Sequence, residues 1–89
     1  MIEPYHIERR DDGTGFVYFG ENMCRIAVSR WTDLRTMKPR PVDINWSCVG
    51  SVSVEDAKRF REDLDAAIDY AIRWAAEGVQ DRKGSGGRA

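Results

Sequence analysis

At 89 residues the chain supports one small domain, and a domain of this size buries only about 60 to 65% of its unfolded surface, so stability is marginal unless something adds to it. Fifteen acidic against fourteen basic residues leave a net charge of −1, which excludes a molecule-wide field for nucleic acid, acidic partners or a membrane and confines any charge-based function to a local patch. Two cysteines cannot build a disulfide framework, no metal-ligand spacing is present, and no stretch approaches the roughly 18 apolar residues of a spanning helix.

"MIEPYHIERRDDG" lacks a basic segment followed by an apolar run, which makes a cytoplasmic location the expectation. The first strand is expected in "PYHIERR", with Tyr5 and Ile7 on one face, and "DDGTG" has the Asp and Gly residues of a tight turn. "FVYF" is the second strand and "GEN" the next turn. In "CRIAVSRW", Cys24, Ile26 and Val28 alternate with Arg25, Ala27 and Ser29, the mark of a half-buried strand. "TDLRTMKPRP" reads as a polar connection, because its prolines cannot donate to a ladder, so the fourth strand starts after Pro41 and runs to about Val49.

After Ser53 the apolar spacing changes from two to three or four. Ser53 is suited to cap a helix, Asp56 stands where a capping box needs its carboxylate, and Val52 can staple against Ala57. At roughly 100° per residue, Ala57, Phe60, Leu64, Ala67, Ile68, Ala71, Trp74 and Ala75 share one face, with Glu55/Arg59 and Asp69/Arg73 as i,i+4 pairs opposite. The helix is expected to end near Glu77 with Gly78 as its stop. The predicted organisation is thus one ββββα domain over residues 1–78 and a disordered Gly-rich tail over 79–89. The fold class is α+β: a four-stranded antiparallel meander with one helix packed on one sheet face.

If Glu21 and Asn22 form a two-residue turn, Phe19 lies opposite Cys24 and Val17 opposite Ile26. Tyr5, Ile7, Val17, Phe19, Cys24, Ile26, Val28, Ile44, Trp46 and Cys48 then share the face that the helix covers. The other face carries Phe16, Tyr18, Ala27 and Trp31 with Arg25, Asn45 and Ser47. Clustered aromatics on an outer face mark a contact site. On the helix, Tyr70 and Ile72 widen the apolar arc beyond what one sheet face needs, so Tyr70, Ile72 and Trp74 are the expected dimer face.

Cys24 and Cys48 face each other in this register, but no helix N-terminus or C-x-x-C spacing activates a thiol, and the reading is two buried, reduced cysteines. His6 has no nucleophile to partner and reads as a surface strand histidine. Asp11 and Asp12 belong to the turn, "GTG" lacks the rest of a phosphate loop, and "NWS" is a strand that happens to match a glycosylation acceptor. No set of catalytic groups converges, so no enzymatic activity, cofactor, metal or small-molecule substrate is expected. Arg30, Arg35, Lys38 and Arg40 form a basic cluster beside Trp31. With Phe16, Tyr18 and Arg25 they hold the parts of a single-strand nucleic-acid platform, namely cations for phosphates and rings for bases.

The stretches "CRIAVSRW", "MKPRP" and "VSVEDAKRFREDLDAAIDYA", about half the chain, resemble the end of transcriptional-coactivator/Whirly-type single-stranded-DNA-binding domains, whose subunit is four strands then one helix and which dimerise. This sequence departs from them in a longer segment before the helix and a more acidic helix. The junction "NWSCVGSVSVEDAKRFREDLDAAIDYA" is similar in style to short proteins of actinobacteria and their phages, most with no assigned activity, which implies a bacterial or phage accessory protein. The expectation is a non-enzymatic binding protein, homodimeric, with a protein partner. The alternative is single-stranded nucleic acid.

Overall fold

Alternation of apolar and polar residues draws the first half of the chain into strands, and the computed structural model, which describes residues 2–20, 24–48 and 50–82, shows how they pair. The strands are β1 (His6–Arg9), β2 (Gly15–Phe19), β3 (Cys24–Arg30), β4 (Thr32–Asp33), β5 (Lys38–Pro39) and β6 (Asp43–Cys48), and the helix α1 spans Val54–Arg82. β1, β2, β3 and β6 form an antiparallel sheet in that order, and α1 packs on one face of it, giving a two-layer α+β architecture. No helix among the described residues is long and apolar enough to cross a membrane.

The turn between β1 and β2 is built by Asp12, whose carboxylate accepts from the Thr14 amide at 2.9 Å and the Thr14 hydroxyl at 2.6 Å. The bonds from Thr14, the hydroxyl first, hold the Asp12 carboxyl below its ordinary range. Gly15 follows with φ 145°, a region that side chains rarely adopt, because β1 passes close by. A Cβ there would collide with the Glu8 carbonyl oxygen and lie 2.8 Å from the Arg9 Cα. Gly15→Ala is therefore expected to lower stability by about 1–3 kcal/mol, seen as a fall in the urea midpoint at unchanged slope.

The register between β2 and β3 differs from the expected one by two residues: Val17 pairs with Val28 and Phe19 with Ile26. The expected Glu21–Asn22 turn lies outside the described residues. Because the shift is even, every side chain keeps its face. The inner face is correct in parity but not in burial. Val17, Phe19, Ile26 and Val28 are buried against Ala67, Ala71 and Trp74, whereas Ile7 is 55% exposed and Trp46 60% exposed. One helix covers the middle strands and leaves both edges open. Tyr5 does not join Ile7 at all: it precedes β1, and its ring lies 6.0 Å from that of Tyr18.

Ser53 caps α1 as its hydroxyl predicts, accepting from the Asp56 amide at 3.1 Å. Glu55 approaches Lys58 at 3.5 Å rather than pairing with Arg59. At about 1.5 Å per residue the helix is much longer than the strands beneath it, so among the described side chains, up to Glu77, its N-terminal turns stay outside the core. Ala67, Ala71 and Trp74 lie in the core and Phe60, Leu64 and Tyr70 are half-buried, but Ala57, Ile68 and Ala75 are exposed. Gly78 does not stop the helix. Residues 79–82, expected in a disordered tail, continue it to Arg82, since glycine permits a left-handed stop without forcing one and costs only about 1 kcal/mol inside a helix.

The segment expected as a plain polar connection forms a two-stranded ribbon, with Thr32 paired to Pro39 and Asp33 to Lys38. Met37, at φ 59°, turns it, and the Arg40 amide donates to the Trp31 carbonyl at 2.7 Å. The isolated ribbon tolerates Pro39 because no further strand needs its missing N–H.

Cys24 and Cys48 are joined as a disulfide. The two cysteines face each other across the strands as expected, with Cα atoms 4.1 Å apart, but the expectation of a buried, reduced pair is corrected: they are bonded, and Cys48, on the uncovered edge, is exposed.

Candidate functional site

The outer face of the sheet is assembled by register. His6 stands opposite Tyr18 and Glu8 opposite Phe16, while Tyr18 faces Ala27 and Phe16 faces Ser29 across β3. On the far side Arg25 pairs with Ser47 and Ala27 with Asn45. Side chains on one face of neighbouring strands lie within contact range, and here they are aromatic.

The rings form one contiguous row. His6 stacks on Phe16 and on Tyr18, each at 5.7 Å between centroids, Phe16 and Tyr18 are 5.1 Å apart, Trp31 reaches Phe16 at 6.1 Å, and Tyr5 extends the row at Tyr18. Two guanidiniums cover it: Arg25 lies 5.4 Å from the Tyr18 centroid and Arg10 lies 5.8 Å from that of Trp31. Both are cation–π distances. Glu8, ion-paired to Arg10 at 3.2 Å and 3.7 Å from the His6 Nε2, adds an acid to the same face.

The structure thus brings together Phe16, Tyr18, Arg25 and Trp31, as their alternation implied. It separates the basic residues. Arg30 belongs to the opposite face of β3, where its Nε donates to the Arg40 carbonyl at 2.9 Å and ties the ribbon to the sheet. Arg35, Lys38 and Arg40 are exposed on the ribbon that leaves the sheet at Trp31, together with Leu34 (82% exposed) and Met37. A shallow cleft between Trp31, Arg35, Arg40 and Asp43 joins ribbon to face.

Of the expected dimer face, only Ile72 is available, at 62% exposed. Trp74 is buried and Tyr70 packs edge-on against Phe19 and Trp74. Across the layers Arg9 clamps this end of the helix, its guanidinium 4.5 Å from the Trp74 ring and 2.7 Å from the Glu77 carboxylate. Tyr5, His6 and Arg10 are members of the outer face that the sequence reading left out. Pairing the first two strands across "DDGTG" would have found His6, since it sets that residue opposite Tyr18.

Among the described residues no group of three or more His, Cys, Asp or Glu side chains is placed to hold a metal ion. No protein-family model matches this chain, and neither a curated protein nor a solved structure matches it.

Proposed function

We propose that the chain is a non-enzymatic binding module that works as a homodimer and docks a protein partner on the outer face of its sheet, as an accessory protein in the cytoplasm of a bacterium or a phage-infected cell. The observation that carries this reading is the contiguous row of Tyr5, Tyr18, His6, Phe16 and Trp31 with Arg10 and Arg25 over it. Aromatic residues and arginine are the side chains enriched at protein contacts and at their energetic centres. The rings spend part of their surface on each other and on the two guanidiniums, and Glu8 lies among them, which suits a mixed polar and apolar protein surface better than a strand of phosphates. The bacterial and phage setting rests on the style of the "NWSCVGSVSVEDA" junction alone. In a cytoplasm the Cys24–Cys48 bond would stand reduced.

One observation favours a second reading, single-stranded nucleic acid. Trp31 connects the ring row to a ribbon whose Arg35, Lys38 and Arg40 are all exposed, so cations lie beside rings.

Two measurements separate the readings. A photo-crosslinking residue at Tyr18 is expected to give discrete protein adducts in cells, while the same residue at exposed Asp65 on the far side of the helix gives none; equal labelling from both positions overturns the docking face. Anisotropy of a labelled mixed-sequence oligonucleotide is expected to show no salt-sensitive preference for the single strand. Tight single-strand binding that Arg35→Ala/Lys38→Ala/Arg40→Ala weakens, with the salt slope falling by about one unit per lost phosphate contact, overturns the protein reading in favour of nucleic acid.

A further inference from the structure

The sheet has two edges of opposite character. Three of the four residues of β1 are ionisable, namely His6, Glu8 and Arg9, and Arg10 follows, so that edge is guarded by charge. β6 reads "DINWSC" and carries charge only at Asp43. An edge strand without charged guards, proline or a covering element is one that accepts another strand.

The hydrogen-bonding alternation shows what this edge offers. The 4.1 Å Cα separation of Cys24 and Cys48 is that of a non-hydrogen-bonded antiparallel pair. Asp43, Asn45 and Ser47 therefore bond to β3, and Ile44, Trp46 and Cys48 turn their N–H and C=O groups outward. Among the described residues these outward groups find no backbone partner.

Apolar surface flanks the same edge. Trp46 is 60% exposed on the helix side of β6. Ala66, Asp69 and Arg73 border Ile2 on the β1 side of the helix. At roughly 100° per residue Ile68 and Ile72 fall on the other flank, above β6, and both are exposed.

We propose that β6 is the interface for a second copy of this chain, joined antiparallel about a two-fold axis at Asn45 so that two four-stranded sheets become one of eight strands. The strand is self-complementary in that register. Outward-facing Ile44 meets outward-facing Trp46 of the other copy, twice, as hydrogen-bonded pairs. Asp43 faces a Ser47 hydroxyl rather than another carboxylate, and the two Asn45 side chains meet on the outer face. The indoles and the Ile68/Ile72 flanks gain cover from the same contact, and a small chain gains the buried area it lacks. The row of rings on the outer face is doubled across the axis. This inference supplies the interface for the homodimer in the proposed function and is independent of what docks on the rings.

The test is mass measurement in solution on the whole chain, with Trp46→Lys as the disrupting variant, because an exposed Trp can be replaced without unfolding the domain. The expected result is twice the mass of one chain for the wild type and the mass of one chain for Trp46→Lys, with the same circular dichroism. Register is read by Asn45→Cys, which places two thiols across the axis at a separation that a disulfide spans. It is expected to crosslink copies under mild oxidation, and Ser47→Cys is not. A wild-type monomer at the highest soluble concentration overturns both this interface and the homodimer. A dimer that Trp46→Lys leaves intact overturns this interface alone, and crosslinking through Ser47→Cys but not Asn45→Cys overturns the axis. None of these outcomes alters the Tyr18 photo-crosslink, which tests the protein partner.

Discussion

Trp74→Ala is expected to cost about 3–5 kcal/mol, because it removes the largest buried side chain of the core and leaves a cavity that rigid neighbours cannot fill. That is a large share of the about 5–15 kcal/mol that holds a domain together. The indole is 1% exposed, meets the Tyr70 ring edge-on at 6.1 Å, and is capped by the Arg9 guanidinium at 4.5 Å. The loss therefore falls on three elements together, namely the helix, the inner sheet face and the clamp from β1. Phe is the informative control, since it keeps most of the apolar contact with Ala67 and Ala71 and should recover much of the loss. Thermal unfolding with circular dichroism decides the matter. A melting temperature unchanged in Trp74→Ala, together with a change in molecular mass, would return this residue to a subunit interface and refute the core described here.

Reduction of the Cys24–Cys48 bond is expected to have an effect of similar size. The cysteines are separated by 24 residues, and closing a loop of that length in the unfolded chain corresponds to about 3.5 kcal/mol. For a domain this small that is a fall in melting temperature on the order of 20 °C. The effect should appear on adding reductant and should be matched by Cys24→Ser/Cys48→Ser without reductant. If reductant shifts the wild type and leaves the double variant unmoved, the bond acts as a constraint on the unfolded state. Equal melting temperatures with and without reductant would show that it does not. Alkylation of the chain in freshly lysed cells settles which form the protein holds where it works. Modified thiols are the expected result for the cytoplasmic location proposed above, since thiols there are kept reduced.

Legibility in the sequence followed the range of the interaction. Parity within a strand is local: alternation alone set Phe16 and Tyr18 apart from Val17 and Phe19, and Arg25 apart from Ile26 and Val28, while matching the faces of the two strands took the assumed even turn at Glu21–Asn22. The Ser53 cap was legible for the same reason, since its acceptor and donor lie three residues apart. Register was less so. The slip of two residues between β2 and β3 left the faces intact and changed which residues oppose each other, and nothing in "GEN" dictates its size. The outer face was legible as a cluster but incomplete, because Tyr5 and Arg10 lie outside the strands and reach the rings through turns of the chain. Arg30 was grouped with the ribbon cations by proximity in sequence, whereas its side chain is spent on the Arg40 carbonyl.

What the sequence by itself determined is the order of four long strands and a helix, the two faces of the sheet, and the helix start. Each follows from periods of two and 3.6 and from short-range capping chemistry. What only the tertiary structure decided is coverage. One helix is too narrow to roof four strands, so it buries the middle of the sheet and leaves Ile7 and Trp46 exposed at the edges, while of Tyr70, Ile72 and Trp74 only Ile72 stays exposed. The same packing left Cys48 exposed at an edge, and the two cysteines that the register set face to face are joined as a cross-strand bond. Burial and pairing across the sheet depend on where the helix axis falls, and no local pattern in the chain carries that information.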